Sequence, residues 1–283
     1  MKRTRRTKNA GLRLLPWLSG GLTAALLALV VLYVCARGLP GLSWQLLARE
    51  ESVLEGTPGL LPSILNTLVV VALSLTLVLP LGVGAAVYLT EYARAPRLVQ
   101  AIEFAADTLS GIPSLLYALV GTILFCDVLG LQKTLLAGSL TLAVMTLPTV
   151  LRSTQESLKA VPPSYREAAL GLGAGRWRTI RTLVLPASVD GVVTGCILAA
   201  GRVVGETAVL MYTAGLSTAM QDFSSIQSFM KASGATLTVA LYVYAKERSD
   251  FAAAFTVGTV LLAITALINL TAAAVGRRWG GKG

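Results

Sequence analysis

The sequence predicts an all-α integral membrane protein: six transmembrane helices, with a polar loop between helices four and five. Three observations carry this. Of 283 residues, 54% are apolar and only 13% charged, more apolar surface than one core in water can hide. Six stretches are long and apolar enough to cross a hydrocarbon layer of about 30 Å, which takes roughly 20 helical residues with every backbone N–H bonded inside the segment. Lysine and arginine gather in alternate loops. The plentiful β-branched residues raise a membrane barrel as a competitor. A barrel needs segments of about ten residues with alternating polarity, however, and these stretches are apolar on all sides.

Taken in order, the spans run from Trp17 to Ala36, Ile64 to Leu89, Thr108 to Cys126, Thr134 to Leu151, Val189 to Tyr212, and Phe251 to Val275. The first could be read as a secretory signal, with Val34, Cys35 and Ala36 as small residues for cleavage. Its apolar run of about 20 residues exceeds the usual 7 to 15, and five more spans follow, so an uncleaved helix is expected. Pro80 and Pro148 each remove a helix hydrogen bond and are expected to kink spans two and four. Between spans five and six, residues 213–250 form a long outer segment in which Phe223, Ile226, Phe229 and Met230 recur at helical intervals. A short surface helix, or a plain loop, fits that pattern.

Orientation follows from the basic residues. The N-terminus carries Lys2, Arg3, Arg5, Arg6, Lys8 and Arg13, and the loop after span two carries Arg94 and Arg97. The loop after span four carries Arg152, Lys159, Arg166, Arg176, Arg178 and Arg181, and the C-terminus Arg277, Arg278 and Lys282, giving seventeen on one side. The other side has Arg37, Arg49, Lys133, Lys231, Lys246 and Arg248, and Arg202 lies inside span five. The positive-inside rule places both termini in the cytoplasm. The net charge of +10 thus belongs to span flanks, and no aromatic–basic pattern points to nucleic acid. The chain divides into a basic cytoplasmic tail (1–16), one membrane domain (17–276) holding a polar insert at 160–186, and a short cytoplasmic tail (277–283).

Several chemistries lack their residues. Cys35, Cys126 and Cys196 have no paired spacing and there is no histidine, so neither a disulfide framework nor a metal site is expected. No glycine-rich phosphate loop ends in Gly-Lys-Ser/Thr. The chain is therefore expected to be non-catalytic and to hold no cofactor; any ATP and Mg would be bound by a partner.

The insert has an organisation of its own. Pro162 and Pro163 stop the helix leaving span four, Ser164 can cap a new one, and Glu167 stands three residues on in capping-box spacing. Gly171 and Gly173 end it. A second short helix from about Gly175 to Val184 puts Trp177, Ile180 and Val184 on one face and Arg176, Arg178 and Arg181 on others, and Pro186 closes it. Such a pair suits a partner's groove. The plain alternative is that Glu167 only caps its helix while the basic face touches anionic headgroups.

Glu167-Ala168-Ala169, then Gly173, then Leu183-Val184-Leu185-Pro186 resembles the cytoplasmic coupling loop of ABC importer permeases. Ser63-Ile64-Leu65-Asn66-Thr67, Pro80-Leu81-Gly82, Glu91-Tyr92 and Gly111-Ile112-Pro113-Ser114 extend the resemblance to the A-type permeases of bacterial phosphate (Pst-type) importers, over roughly residues 60–275. That resemblance implies the ABC importer permease fold and a loop seated in an ATPase cleft. It also implies, as partners, a second homologous permease, two ATPase subunits, an extracytoplasmic phosphate-binding protein, phosphate and membrane lipid.

Span five holds the most discriminating residues, Gly201-Arg202-Val203-Val204-Gly205-Glu206-Thr207. A central arginine costs about 2.5 to 3.5 kcal/mol on the translocon scale, so Arg202 and Glu206 must face protein or water. Four residues apart, they share a helical face and can partly neutralise each other. Either they are a structural ion pair, or Arg202 offers its donors to a passing oxyanion while Glu206 keeps the grip weak. Thr207 is placed on the same path. Gly201 and Gly205 either open the helix or let another pack closely. Ser110 and Ser114, flanking Pro113 at a helix start with free N–H groups, are a second polar candidate on the path. The cargo expected is inorganic phosphate, with phosphonate, molybdate or sulfate as rivals. A membrane phosphate sensor with little flux and an ungated channel are the readings from other classes.

Overall fold

A computed structural model describes residues 2–51, 59–222, 224–225, 228 and 231–280, with side chains in all of these but 2–15 and 278–280. Phe223, Ile226, Phe229 and Met230 of the expected outer helix lie outside the described residues. Every regular element among those described is helical. The helices are α1 (Lys2–Gly38), α2 (Trp44–Ala48), α3 (Leu61–Val87, closing in a π turn Tyr88–Tyr92), α4 (Pro96–Ser110), α5 (Ser114–Gly121, with a π turn Thr122–Val128) and α6 (Leu135–Ala160). There follow α7 (Pro163–Gly171), α8 (Arg176–Ala187), α9 (Val189–Gly205), α10 (Ala208–Thr213), α11 (Leu237–Tyr242, with a π turn Val243–Glu247) and α12 (Phe251–Gly280).

Helices α1, α3, α6 and α12 are long and apolar enough to cross a membrane unbroken. Two bent pairs pass the same test of length and composition when taken together: α4 meets α5 at 101° and α8 meets α9 at 65°. Counting each bent pair once gives six. Span three therefore starts at a corner, because Gly111 and Pro113 interrupt the helix that the sequence places across them. Span five stops at Gly205 rather than running to Tyr212. Pro80 and Pro148 lie inside α3 and α6, which continue through them.

Helix α6 is the axis of the bundle, burying Leu135, Leu142, Met145, Val150 and Leu158 among its neighbours. Small residues let those neighbours approach. A Cβ at Gly191 of α9 would fall on Ser157 Oγ of α6, one at Gly195 would meet Ser153 Cβ at 2.9 Å, and Ser153 Oγ donates to the Gly191 carbonyl at 2.8 Å. Gly82 of α3 sits against Val150 and Gly121 of α5 against Thr141 in the same way. By contrast α1 is exposed from Trp17 to Leu32 and touches the body only near its end, where Thr259 Oγ1 of α12 donates to the Val34 carbonyl at 3.2 Å. An all-apolar helix surface without protein cover is what lipid tolerates.

The last part of the segment between α10 and α12 is not a plain surface loop. Its described part from Ala232 to Ala240 is half to fully buried and folds back into the bundle. Asn66 Nδ2 of α3 donates to the Ala235 carbonyl at 3.1 Å, the Leu237 N–H donates to Thr67 Oγ1 at 2.9 Å, and the Leu135 N–H donates to the Ala232 carbonyl at 2.8 Å. Buried backbone must find partners, and the polar start of α3 provides them. At the rim of this end, outside the spans, Glu51 pairs with Arg248 and accepts from Tyr244 Oη at 3.4 Å. Burial and the Glu51 carboxylate push the Tyr244 phenol up to about 12, and the same carboxylate raises Arg248.

Candidate functional site

The insert forms two short helices at the end of the bundle where α3, α6 and α12 finish. Pro163 starts α7, with Pro162 at the cap position and no side-chain cap. The capping box expected of Ser164 and Glu167 is therefore not made: proline's fixed φ is already helical at the first position, so the helix begins one residue before Ser164 can cap it. Glu167 and Ala168 point to the exposed side, while Ala169 is buried. Gly173 follows the helix at φ +81°, a left-handed turn that glycine enters without strain. Ile180 and Val184 of α8 are fully buried, but Trp177 remains 58% exposed, so the predicted apolar face is only partly covered. Leu185 and Pro186 form the last turn of α8 before the 65° bend.

One guanidinium fastens this insert to the bundle. Arg166 of α7 donates from Nε to Glu91 Oε1 and Oε2 at 3.1 and 3.3 Å, and from Nη2 to Glu91 Oε1 at 2.7 Å. It also donates from Nη1 to the Val161 carbonyl and from Nη2 to the Leu158 carbonyl, both at 2.8 Å. Glu91 lies in the π turn ending α3, and its side chain is 9% exposed against 23% for Arg166. Beside it, Arg176 of α8 stacks over the Tyr92 ring at 5.7 Å. A second network binds α4 to the end of α6. Gln155 Nε2 and Lys159 Nζ each donate to Glu103 Oε1 at 3.2 Å, Arg152 Nη2 donates to the Glu103 carbonyl at 3.0 Å, and Arg152 also pairs with Asp107.

The other candidate lies where α9 ends. Glu206 adopts an extended conformation (φ −80°, ψ 121°), which takes its side chain off the helical register shared with Arg202. Its Oε1 accepts from the Val209 N–H at 3.4 Å, capping α10, and its carbonyl accepts from Thr238 Oγ1 at 3.1 Å. The expected Arg202–Glu206 pair is not formed. Arg202 is half-buried and, among the described residues, makes no hydrogen bond and no ion pair. It borders a face of α9 left open by this chain, where Thr194, Leu198 and Gly205 are exposed and a Cβ at Gly201 or Gly205 would meet nothing within 4 Å. That favours access over close packing as the role of these glycines. Thr207 stands half-buried at the cap of α10.

The α4–α5 corner comes to the same neighbourhood. Tyr117 of α5 packs in one cluster with Val203, Val204, Leu109 and Ile112, and its hydroxyl donates to the Leu109 carbonyl at 2.8 Å. Ser114 opens α5 with no side-chain bond among the described residues, whereas Ser110 donates to its own helix at the Ala106 carbonyl at 3.0 Å. A cavity of about 790 Å³ lies elsewhere, an apolar slot among α3, α8, α9 and α12. Its α9 lining, Val189, Val193, Cys196 and Ala200, is on the far side of the helix from Arg202 at 3.6 residues per turn.

Sequence reading gave Glu91 and Arg166 no role beyond motif and charge. The available signal was a carboxylate directly after an apolar span, where an unpaired charge is costly.

The family described as "Binding-protein-dependent transport system inner membrane component" matches residues 78–280. The chain is 33% identical over 217 residues to the probable ABC transporter permease protein YqgI of Bacillus subtilis (strain 168), covering 75% of this chain and 74% of that one. It is 34% identical over 263 residues to the phosphate transport system permease protein PstA of Mycobacterium leprae (strain TN), covering 89% and 84%. Among solved structures, a chain of the bacterial alginate ABC transporter in complex with alginate pentasaccharide-bound periplasmic protein superposes with a TM-score of 0.63 at 16% identity, covering 94% of this chain and 96% of that one. At that identity the likeness is one of fold.

Proposed function

The chain belongs to the family of binding-protein-dependent transport system inner membrane components, and from that premise we propose that it is a permease subunit of an ABC importer for inorganic phosphate. It is a multi-pass inner-membrane protein with no catalytic role of its own. Both termini and the 160–186 insert lie in the cytoplasm, on the side with seventeen basic residues. A second, related permease completes the path along the open face of α9, two ATPase subunits serve the pair, one of them seated on this insert around Glu167, and an extracytoplasmic phosphate-binding protein delivers the anion. ATP and Mg are held by the ATPases.

The observation that carries this reading is Arg202, a half-buried cation to which the chain gives no counter-ion among the described residues. Its planar fork can offer two parallel charge-assisted bonds to a tetrahedral oxyanion. Glu206, turned toward α10, is near in sequence yet leaves the guanidinium free for an anion that must be held briefly and released. Ser114 and Thr207 can add hydroxyl bonds.

Uptake of radiolabelled phosphate by cells lacking only this gene, with and without the gene restored, tests the assignment. Uptake restored only by the gene, and lost with Arg202→Ala at unchanged membrane level, is the expected result. Unchanged uptake in the deletion strain removes phosphate as the cargo, and competition by molybdate, sulfate or a phosphonate identifies a different oxyanion.

A further inference from the structure

We propose that the Arg166–Glu91 pair is the mechanical joint of the subunit, the contact through which movement of α7 reaches the second crossing. The proposal rests on the importer reading, since it needs a partner that pushes on α7.

Helix α7 has nine residues and buries only Ala169, so apolar contact is too small to fix its position. Its attachment is the neighbouring Arg166. The five bonds made by that side chain reach two separate crossings, the Glu91 carboxylate at the end of α3 and the Leu158 and Val161 carbonyls at the end of α6. The carbonyls at a helix C-terminus lack partners within the helix and carry its negative pole, so a cation there is favoured. The π turn at Tyr88–Tyr92 inserts an extra residue per turn and so re-aims Glu91 toward α7. Because Glu91 is almost fully covered, a displaced Arg166 would leave a carboxylate stranded away from water. The pair therefore resists separation, and α7, α3 and α6 must shift together. The insert's second half has its own grip on the same turn through Arg176 and Tyr92. Glu167, adjacent in sequence and exposed, is left free for the partner. One residue holds the bundle and the next meets the motor.

The test uses the complete transporter with its binding protein in proteoliposomes, comparing wild type with Arg166→Gln, Arg166→Lys and the isosteric Glu91→Gln. Spin labels at Tyr165→Cys and Leu81→Cys, in a background without the three native cysteines, report the distance from α7 to α3 with and without ATP. For Arg166→Gln we expect the ATPase to co-purify and to hydrolyse ATP, phosphate uptake per ATP to fall at least tenfold, and the label distance to broaden and become nucleotide-dependent. Arg166→Lys, with charge but no fork, should be intermediate, and Glu91→Gln should weaken coupling while the fold stands. If uptake and hydrolysis fall together in proportion to assembled complex, with label distances unchanged, the pair is structural only and the proposal is overturned. A wild-type complex that hydrolyses ATP without moving phosphate would remove the cargo assignment, while the label distances would still judge the joint.

Discussion

The two ends of α9 treat charge in opposite ways. Near its start, several acidic residues are engaged: Glu91 holds Arg166, Glu103 holds Gln155 and Lys159, and Asp107 holds Arg152. Near its finish, Arg202 is half-buried with no partner among the described residues, although a carboxylate follows four residues later. Glu206 is turned away by a break in the helix to cap α10. The difference teaches that the chain supplies a covered counter-ion where α7 is held against α3 and supplies none at Arg202, the contrast on which the proposed anion role rests.

Exchanging the two behaviours is the most direct way to break that contrast. Arg202→Ala should lower phosphate uptake about 10- to 100-fold, the equivalent of one charge-assisted interaction of 1.5 to 3 kcal/mol, with assembly and thermal stability unchanged. Normal uptake would end the role assigned to it. At the other end, Glu91→Ala leaves Arg166 without its counter-ion in a covered site. A loss of about 3 to 5 kcal/mol is expected, read as a lower thermal unfolding midpoint in detergent, whereas Glu91→Gln together with Arg166→Gln should recover part of it. Charge reversal at the exposed Glu167 should release the ATPase subunit in pull-downs while leaving the chain in the membrane; undiminished co-purification and transport would count against a docking role. Gly195→Ala forces a Cβ against Ser153 and should cost about 1 to 3 kcal/mol, while Gly201→Ala enters open space and should change stability by under about 0.5 kcal/mol. Glu206→Gln keeps an acceptor oxygen for the Val209 N–H and loses only its charge at the start of α10, so a small cost of about 0.3 to 1 kcal/mol is expected, with uptake altered less than in Arg202→Ala.

Much of this was legible from residues. The apolar runs locate the four unbroken helices long enough to cross, because the requirement of about 20 covered residues leaves few alternatives. The insert's first break and its turn follow from Pro162, Pro163 and Gly173, whose backbone preferences are local, whereas Pro186 does not close the second helix, which runs on to Ala187 and bends at Ser188. Long-range partners were another matter. Arg202 and Glu206 sit four apart and read as a pair, but the spacing rule assumes an unbroken helix, and the break at Glu206 depends on α10 and on Thr238, thirty-two residues away. The seventy-five residues between Glu91 and Arg166 likewise carry no local signal that they meet. The buried return near Ala235 was hidden because its backbone is satisfied by Asn66 and Thr67 of α3, residues that read only as a polar helix start.

The fit of Gly191 over Ser157 and of Gly195 over Ser153 welds the two roots of the insert, since one is the end of α6 and the other the start of α9. With its two roots locked together like the ends of a bucket handle, a pull on the insert would tilt α6 and α9 together. Arg202 lies seven residues past Gly195, a lever arm of about 10 Å at 1.5 Å per residue, so a tilt of about ten degrees about that weld would carry its guanidinium sideways by roughly 2 Å, nearly a hydrogen-bond length.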